Sequence, residues 1–172
     1  KTYGEDVGTA YDVSSASFTQ SMDTQDGSPR GIAWNGDGTK LYEVGESNEN
    51  VYEYDVGTAF DISTASFSQS IDTKDSRPEG IAWNADGTKL YEIGNESNQI
   101  YEYDVSTAFD VSTASLRTTI TTQDNGPRGI TWNDDGTKLY EIGWSSNKIY
   151  EYDVGTAYDV STASFSQSID TQ

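Results

Sequence analysis

Pro29-Arg30-Gly31-Ile32-Ala33-Trp34-Asn35-Gly36-Asp37-Gly38-Thr39-Lys40-Leu41-Tyr42-Glu43-Val44-Gly45 returns with few changes at 78–94 and again at 127–143. Trp34, Trp83 and Trp132 mark a constant step of 49 residues, and the segments between them repeat as well. A period of this length belongs to propellers, solenoids or arrays, in which neighbouring units share one continuous core.

The centre of the stretch, Asn35-Gly36-Asp37-Gly38-Thr39, separates two runs with strand character, and its copies are Asn84-Ala85-Asp86-Gly87-Thr88 and Asn133-Asp134-Asp135-Gly136-Thr137. Asp followed by Gly suits a tight hairpin, because Asp hydrogen-bonds locally and Gly accepts the positive φ that the turn needs. The spaced ligands and closing Glu of a calcium loop are missing, so a plain hairpin is expected and no metal. Downstream, Val51-Tyr52-Glu53-Tyr54-Asp55-Val56 places two tyrosines on one face and two acids on the other. In Ala65-Ser66-Phe67-Ser68-Gln69-Ser70-Ile71, a period-2 alternation puts Ala65, Phe67, Gln69 and Ile71 together. Between them, Asp61, Ser63 and Thr64 carry local turn chemistry with no catalytic role, and no helical period is visible.

Each unit therefore holds four short strands, predicted over 31–35, 40–44, 51–56 and 65–72 in the first full set. The expected fold is all-β: a β-propeller of 49-residue, four-stranded antiparallel blades, with three full blades plus an extra half-blade. The whole of 1–172 reads as one repeat domain, with repeats 1–49, 50–98, 99–147 and a partial repeat 148–172. Strand-three/strand-four halves alternate with strand-one/strand-two halves, and the first half, 1–25, lacks its partner. A further strand-one/strand-two segment after Gln172 would complete it, and the absence of an initiator Met points to a processed product or an excised fragment. Alternatively the array closes with copies of itself, although two copies hold eight halves of one kind against six of the other, so no ideal ring follows.

Composition narrows the function classes. Leu, Ile, Val and Phe make up only about 17% of the chain, which with a net charge of -19 would fit disorder, were it not for 12 Tyr and 4 Trp recurring at fixed positions. With 29 acidic and 10 basic residues, nucleic acid and anionic membranes are excluded as partners, since both require a cationic footprint. The acids run along the whole chain and read as a solvated surface. There is no Cys and no His, hence no disulfide framework and none of the usual zinc or copper ligands. No apolar run is long enough to insert into a membrane, and no cofactor is expected.

The repeated Pro-x-Gly-Ile-Ala-Trp-Asn-x-Asp-Gly-Thr-Lys-Leu-Tyr-Glu, followed by Ser-Asn and Val-Tyr-Glu-Tyr-Asp, resembles the blade consensus of surface-layer and lactonase-like propellers, the YVTN type, and similar repeats in environmental and phage proteins. The resemblance covers essentially the whole chain and implies the propeller fold. Enzymes of such families tend to use His, or acidic and amide metal ligands that interrupt the repeat near the axis, and neither is seen here. On these grounds the expected protein is not an enzyme. It is a non-enzymatic extracellular binding or adhesion scaffold at a cell or virion surface, presenting the loops 45–50, 94–99 and 143–148 to a carbohydrate or protein ligand. A structural subunit of a surface layer, fibre or self-assembling oligomer is the second reading, and a metal-dependent propeller hydrolase or lactonase the third.

Positions that break the repeat are the candidate ligand-binding residues. Trp144 stands in the loop where the earlier copies have Glu46 and Asn95; Arg30 and Arg128, with Glu79 at the matching position, precede the Gly of strand one and could line the axial mouth. Asn95-Glu96-Ser97 is the one N-glycosylation sequon, which makes Asn95 a glycosylation candidate.

Overall fold

The computed structural model describes residues 1–171. A two-stranded half-blade, β1 (Thr2–Val7) and β2 (Ala16–Met22), is followed by three four-stranded antiparallel sheets. Blade 1 holds β3 (Pro29–Trp34), β4 (Lys40–Gly45), β5 (Asn50–Val56) and β6 (Ala65–Asp72). Blade 2 holds β7 (Pro78–Trp83), β8 (Lys89–Gly94), β9 (Gln99–Val105) and β10 (Ala114–Thr121). Blade 3 holds β11 (Pro127–Trp132), β12 (Lys138–Gly143), β13 (Lys148–Val154) and β14 (Ala163–Asp170). Strand order within each sheet follows chain order, as in propeller blades.

The first strand of each blade lies innermost. A Cβ on Gly31 would sit 3.0 Å from the Cα of Gly80, and one on Gly80 would sit 3.3 Å from the Cα of Gly129, so β3, β7 and β11 run side by side at backbone distance. Glycine is required there because two main chains meet with no room for a side chain.

Each hairpin is closed by its Asn, which the sequence places at the end of strand one and the structure places in the turn. Asn35 Oδ1 accepts from Lys40 N at 2.9 Å, its Nδ2 donates to Thr39 Oγ1 at 3.1 Å, and Gly38 carries the positive φ of 73°. Four 3-10 turns, Val13–Ser15, Ile62–Thr64, Val111–Thr113 and Val160–Thr162, add short helical structure that periodicity does not reveal. Each is capped by an Asp, for example Asp61, whose Oδ1 accepts from Ser63 N at 3.0 Å.

The predicted alternation of strand four is broken by a bulge. Tyr54 pairs with Phe67 but Glu53 pairs with Gln69, so Ser68 is an extra residue and Phe67 lies on the opposite face from Gln69. Phe67 therefore packs edge-on against Tyr52 and Tyr54, at 6.3 Å from each ring, while Gln69 Nε2 reaches Glu53 at 2.9 Å.

Blades are joined by one interface used twice. Tyr42 of blade 1 is fully buried against Trp83 of blade 2, with ring centroids 4.7 Å apart, and donates its hydroxyl hydrogen to Phe109 O at 2.6 Å. Tyr91 repeats this against Trp132 at 4.9 Å and Tyr158 O at 2.6 Å. Val111 N donates to Glu53 at 3.0 Å, and Val160 N to Glu102 at 2.8 Å. Large aromatic area and shared hydrogen bonds thus supplement the buried aliphatic side chains such as Val44, Leu90 and Val111.

The acids are not only a solvated surface: nine are buried, namely Asp26, Glu43, Glu53, Asp75, Glu79, Glu92, Glu102, Asp124 and Glu141. The apolar flanks of Leu-Tyr-Glu-Val carry each strand-two Glu into the sheet, where donors await it. Glu92 accepts from Lys74 N at 3.1 Å, from Asp75 N at 2.9 Å and from the Tyr103 hydroxyl. Burial raises the Glu92 and Glu141 carboxyls above the ordinary range, against the pull of these donors. Asp26 is opposed by burial too, yet the N–H groups of Ser28, Asn48 and Ser47 hold it below the usual value. A Cβ on Gly45, Gly94 or Gly143 would fall inside the carboxyl of Asp26, Asp75 or Asp124, so these glycines make room for the acid that ties two loops together.

Arg117 bridges blades 2 and 3 by a bidentate pair with Asp159, both bonds 2.9 Å, and also holds Glu102 at 2.8 Å. The Arg117 hydrogen bonds keep Asp159 well below the ordinary carboxylate range. A depressed folded-state pKa stabilises above the unfolded value of about 3.9, and that stability is lost as pH falls through it. Because Arg117 is one-third exposed, the expected contribution is only about 1 kcal/mol. Melting temperatures of the wild type and Asp159→Asn should differ at neutral pH and converge in strong acid.

Candidate functional site at the axial mouth

The residue before the inner-strand glycine lies at the same end of each blade: Arg30, Glu79 and Arg128. Pairing of strands one and two matches Pro29 with Gly45, Pro78 with Gly94 and Pro127 with Gly143. The register shifts between each proline and its glycine, so Arg30, Glu79 and Arg128 are bulge residues outside the ladder, and their side chains reach the residue just past the end of strand two. The two columns that vary across the repeats become three facing pairs: Arg30 with Glu46, Glu79 with Asn95, and Arg128 with Trp144.

The contacts run across blades. Arg30 Nε donates to Glu46 Oε2 at 3.0 Å, and Arg77 Nε lies 3.4 Å from Glu46 Oε1 without a well-aligned hydrogen bond. Glu79, only 5% exposed, accepts from Asn95 Nδ2 at 3.4 Å and pairs with Arg128 Nη1 of the next inner strand. The Arg128 guanidinium in turn lies 5.6 Å over the Trp144 ring. Trp144 is 59% exposed and is seated on Gly126, where a Cβ would collide with its indole; the backbone N–H of Trp144 donates to Gly126 O at 3.0 Å. Glu46, hydrogen-bonded to Arg30, keeps that guanidinium above its usual pKa, aided by the charge of Glu79. Arg30 in return lowers Glu46.

All five sequence-derived candidates thus gather at one end of the three inner strands. Glu46 and Arg77 complete the group, and sequence reasoning names neither as a ligand contact; their signal is the same departure from the repeat at positions 46 and 77. Asn95 points toward Glu79, and its sequon partner Ser97 is hydrogen-bonded to Asp75 and, at 2.7 Å, to Tyr101. A cavity of about 530 Å³ lies at the other, hairpin end of these strands, but its lining of Ile81, Trp83, Ile130 and Trp132 offers little beyond Asp134 for acid–base work. Among the described residues no group of three or more His, Cys, Asp or Glu is placed to hold a metal ion. Two guanidiniums flanking a buried carboxylate can bind an oxyanion and accept a proton within one site.

A family model described as lactonase, 7-bladed beta-propeller, matches residues 3–160. The chain belongs to this lactonase family of β-propellers. Among solved structures it is similar to a protein from Lactobacillus plantarum, at 19% identity and a TM-score of 0.62 over 98% of this chain and 49% of that one. The periplasmic gluconolactonase of Pseudomonas aeruginosa matches at 17% identity and a TM-score of 0.58, over 83% and 40% of the two chains. Hydrazine synthase of Kuenenia stuttgartiensis matches at 23% identity and a TM-score of 0.60, over 88% and 38%. At these identities the likeness is one of fold, and the chain spans less than half the length of the structures it matches. No curated protein matches the chain.

Membership of the lactonase family overturns the non-enzymatic binding or adhesion scaffold expected from sequence and favours the reading that stood third. The expectation gave decisive weight to the missing His, whereas carboxylates and guanidiniums are also capable of acid–base and oxyanion chemistry. The matching expectation that the protein is not an enzyme is not supported either. Among the described residues no helix is long and apolar enough to cross a membrane.

Proposed function

We propose that this chain forms a sector of a lactonase-type hydrolase whose axial mouth opens a sugar lactone. The observation that carries the proposal is the buried Glu79 flanked by Arg30 and Arg128 at the ends of adjacent inner strands. In this reading Glu79 is the general base. It takes a proton from a water whose oxygen bonds to the lactone carbonyl carbon, and the carbonyl electron pair moves onto oxygen, where Arg128 and Arg30 stabilise it. When the tetrahedral centre collapses, the ring C–O bond breaks and Glu79 returns the proton to the leaving alkoxide, giving the open hydroxy acid. Trp144 supplies an apolar face for the sugar ring, and Asn95 orients the Glu79 carboxylate. Family membership supports the reaction class, and the described P. aeruginosa relative supports the substrate class.

A location outside the cytoplasm belongs to the same proposal, supported by the periplasmic setting of that relative. Binding of the open-chain product tests the mouth directly. Gluconate should bind the wild type in calorimetry, and Arg128→Gln should weaken it by about 10- to 100-fold, the worth of one charged hydrogen bond. Absence of heat with the wild type, or equal affinity in the variant, contradicts the assignment.

A further inference from the structure

Asn-Gly occurs twice in the chain, at Asn35-Gly36 and at Asn125-Gly126. The pair is chemically fragile, because the following main-chain nitrogen can attack the side-chain carboxamide and glycine has no Cβ to hinder the approach. The fold treats the two copies differently. Asn35 is 6% exposed, and its carboxamide is held at both ends, Oδ1 by Lys40 N at 2.9 Å and Nδ2 by Thr39 Oγ1 at 3.1 Å. Turning its Cγ toward Gly36 N would break both bonds inside a closed hairpin.

Asn125 is exposed at the apex of the loop between β10 and β11. Its neighbours hold that loop, Thr122 Oγ1 donating to Asp124 O at 2.8 Å and Gly126 N to Asp124 Oδ1 at 2.7 Å, while the Asn125 carboxamide makes no hydrogen bond among the described residues. Asp124 and Gly126 are buried on either side of it. The matching loop between blades 1 and 2 carries Ser76, which is exposed in the same way with a blade on each side. The exposure of Asn125 therefore belongs to the loop itself. Neither Ser76 nor Gly27, at the same place in the first copy, has a carboxamide to react.

We propose that Asn125 is a modification site at the mouth, where its carboxamide is converted to aspartate and isoaspartate. Gly126 N gives up its hydrogen and bonds to Asn125 Cγ; the bond from Cγ to Nδ2 breaks, and ammonia carries the hydrogen away. Water then opens the cyclic imide at Cγ, leaving aspartate, or at the main-chain carbonyl carbon, leaving isoaspartate with the chain routed through Cγ. The Gly126 N–H must first leave Asp124, and giving up one charged hydrogen bond slows the step by about 10- to 100-fold relative to the open chain. The consequence reaches Trp144. A Cβ on Gly126 would lie 2.2 Å from Trp144 Nε1, so the indole rests on the stretch of backbone that isoaspartate lengthens by a methylene. The indole must move, and with it the contact to the Arg128 guanidinium.

Ageing the native chain in mildly alkaline buffer, followed by peptide mapping with mass spectrometry, tests the proposal. Asn125 should be converted with isoaspartate present, and Asn35 should lag by about a further tenfold because its two side-chain hydrogen bonds must also break. In denaturant the two should react at similar rates. Tryptophan fluorescence should drift as the native chain ages and stay constant in Asn125→Gln, a change at an exposed position that should also abolish conversion there. An aged native chain with Asn125 intact, an Asn35 that converts as fast, or a preference for Asn125 that persists in denaturant would each overturn the proposal. A drift that Asn125→Gln does not prevent would overturn the link to Trp144.

Discussion

Glu92→Ala is expected to lower stability by about 3–5 kcal/mol, read as a drop in the denaturant midpoint. The carboxylate has no exposure and takes three donors, the N–H groups of Lys74 and Asp75 and the Tyr103 hydroxyl. Truncation orphans all three in a buried setting, at about 1–3 kcal/mol for each group not reached by water. Burial raises the Glu92 pKa, so ionising this carboxyl costs more in the folded protein than in the unfolded chain. For such an acid the stability contribution is full below the unfolded pKa of about 4.3 and declines as pH rises through the higher folded value. Glu92→Gln should therefore cost less than Glu92→Ala, because the amide oxygen still accepts from the backbone. Equal stability of Glu92→Ala and the wild type would show that the donors find other partners.

Glu79→Gln is expected to have the largest effect on activity. The amide is isosteric and keeps a hydrogen bond to Arg128, so the blade-to-blade contact survives, but it cannot accept the proton of an attacking water. Loss of a general base lowers turnover by about 100- to 10,000-fold. The effect on stability should be small by comparison, because the partner guanidinium is one-third exposed and keeps contact with water.

The architecture was legible from Trp34, Trp83 and Trp132 and from the Asp-Gly hairpins, because a repeat declares its boundaries and a turn declares its chemistry. The bulge was not, since the extra residue Ser68 is indistinguishable in a period-2 pattern from its neighbours. The buried carboxylates were hidden for a different reason. Glu43 sits in an alternating strand like any solvent-facing acid, and its backbone donors come from Gln25 and Asp26, eighteen and seventeen residues earlier, across a loop. At the mouth, Arg30, Glu79, Arg128 and Trp144 stood out as departures from the repeat, but their meeting in pairs depends on the bulge that opens each strand one. Function was the least legible: a repeat lacking His offers no catalytic motif, and the proposed chemistry rests on which charges three neighbouring blades bring to one end.

The central claim, that Glu79 between Arg30 and Arg128 is the base of a lactone-opening site, is tested most directly by acid release. Glucono-δ-lactone is given to the wild type and to Glu79→Gln in weak buffer, with the uncatalysed rate subtracted and the fold of the variant checked by circular dichroism. The account predicts turnover by the wild type and its near-complete loss in a folded variant. A wild type that does not exceed the uncatalysed rate with this or any other sugar lactone, or a variant as active as the wild type, would contradict it.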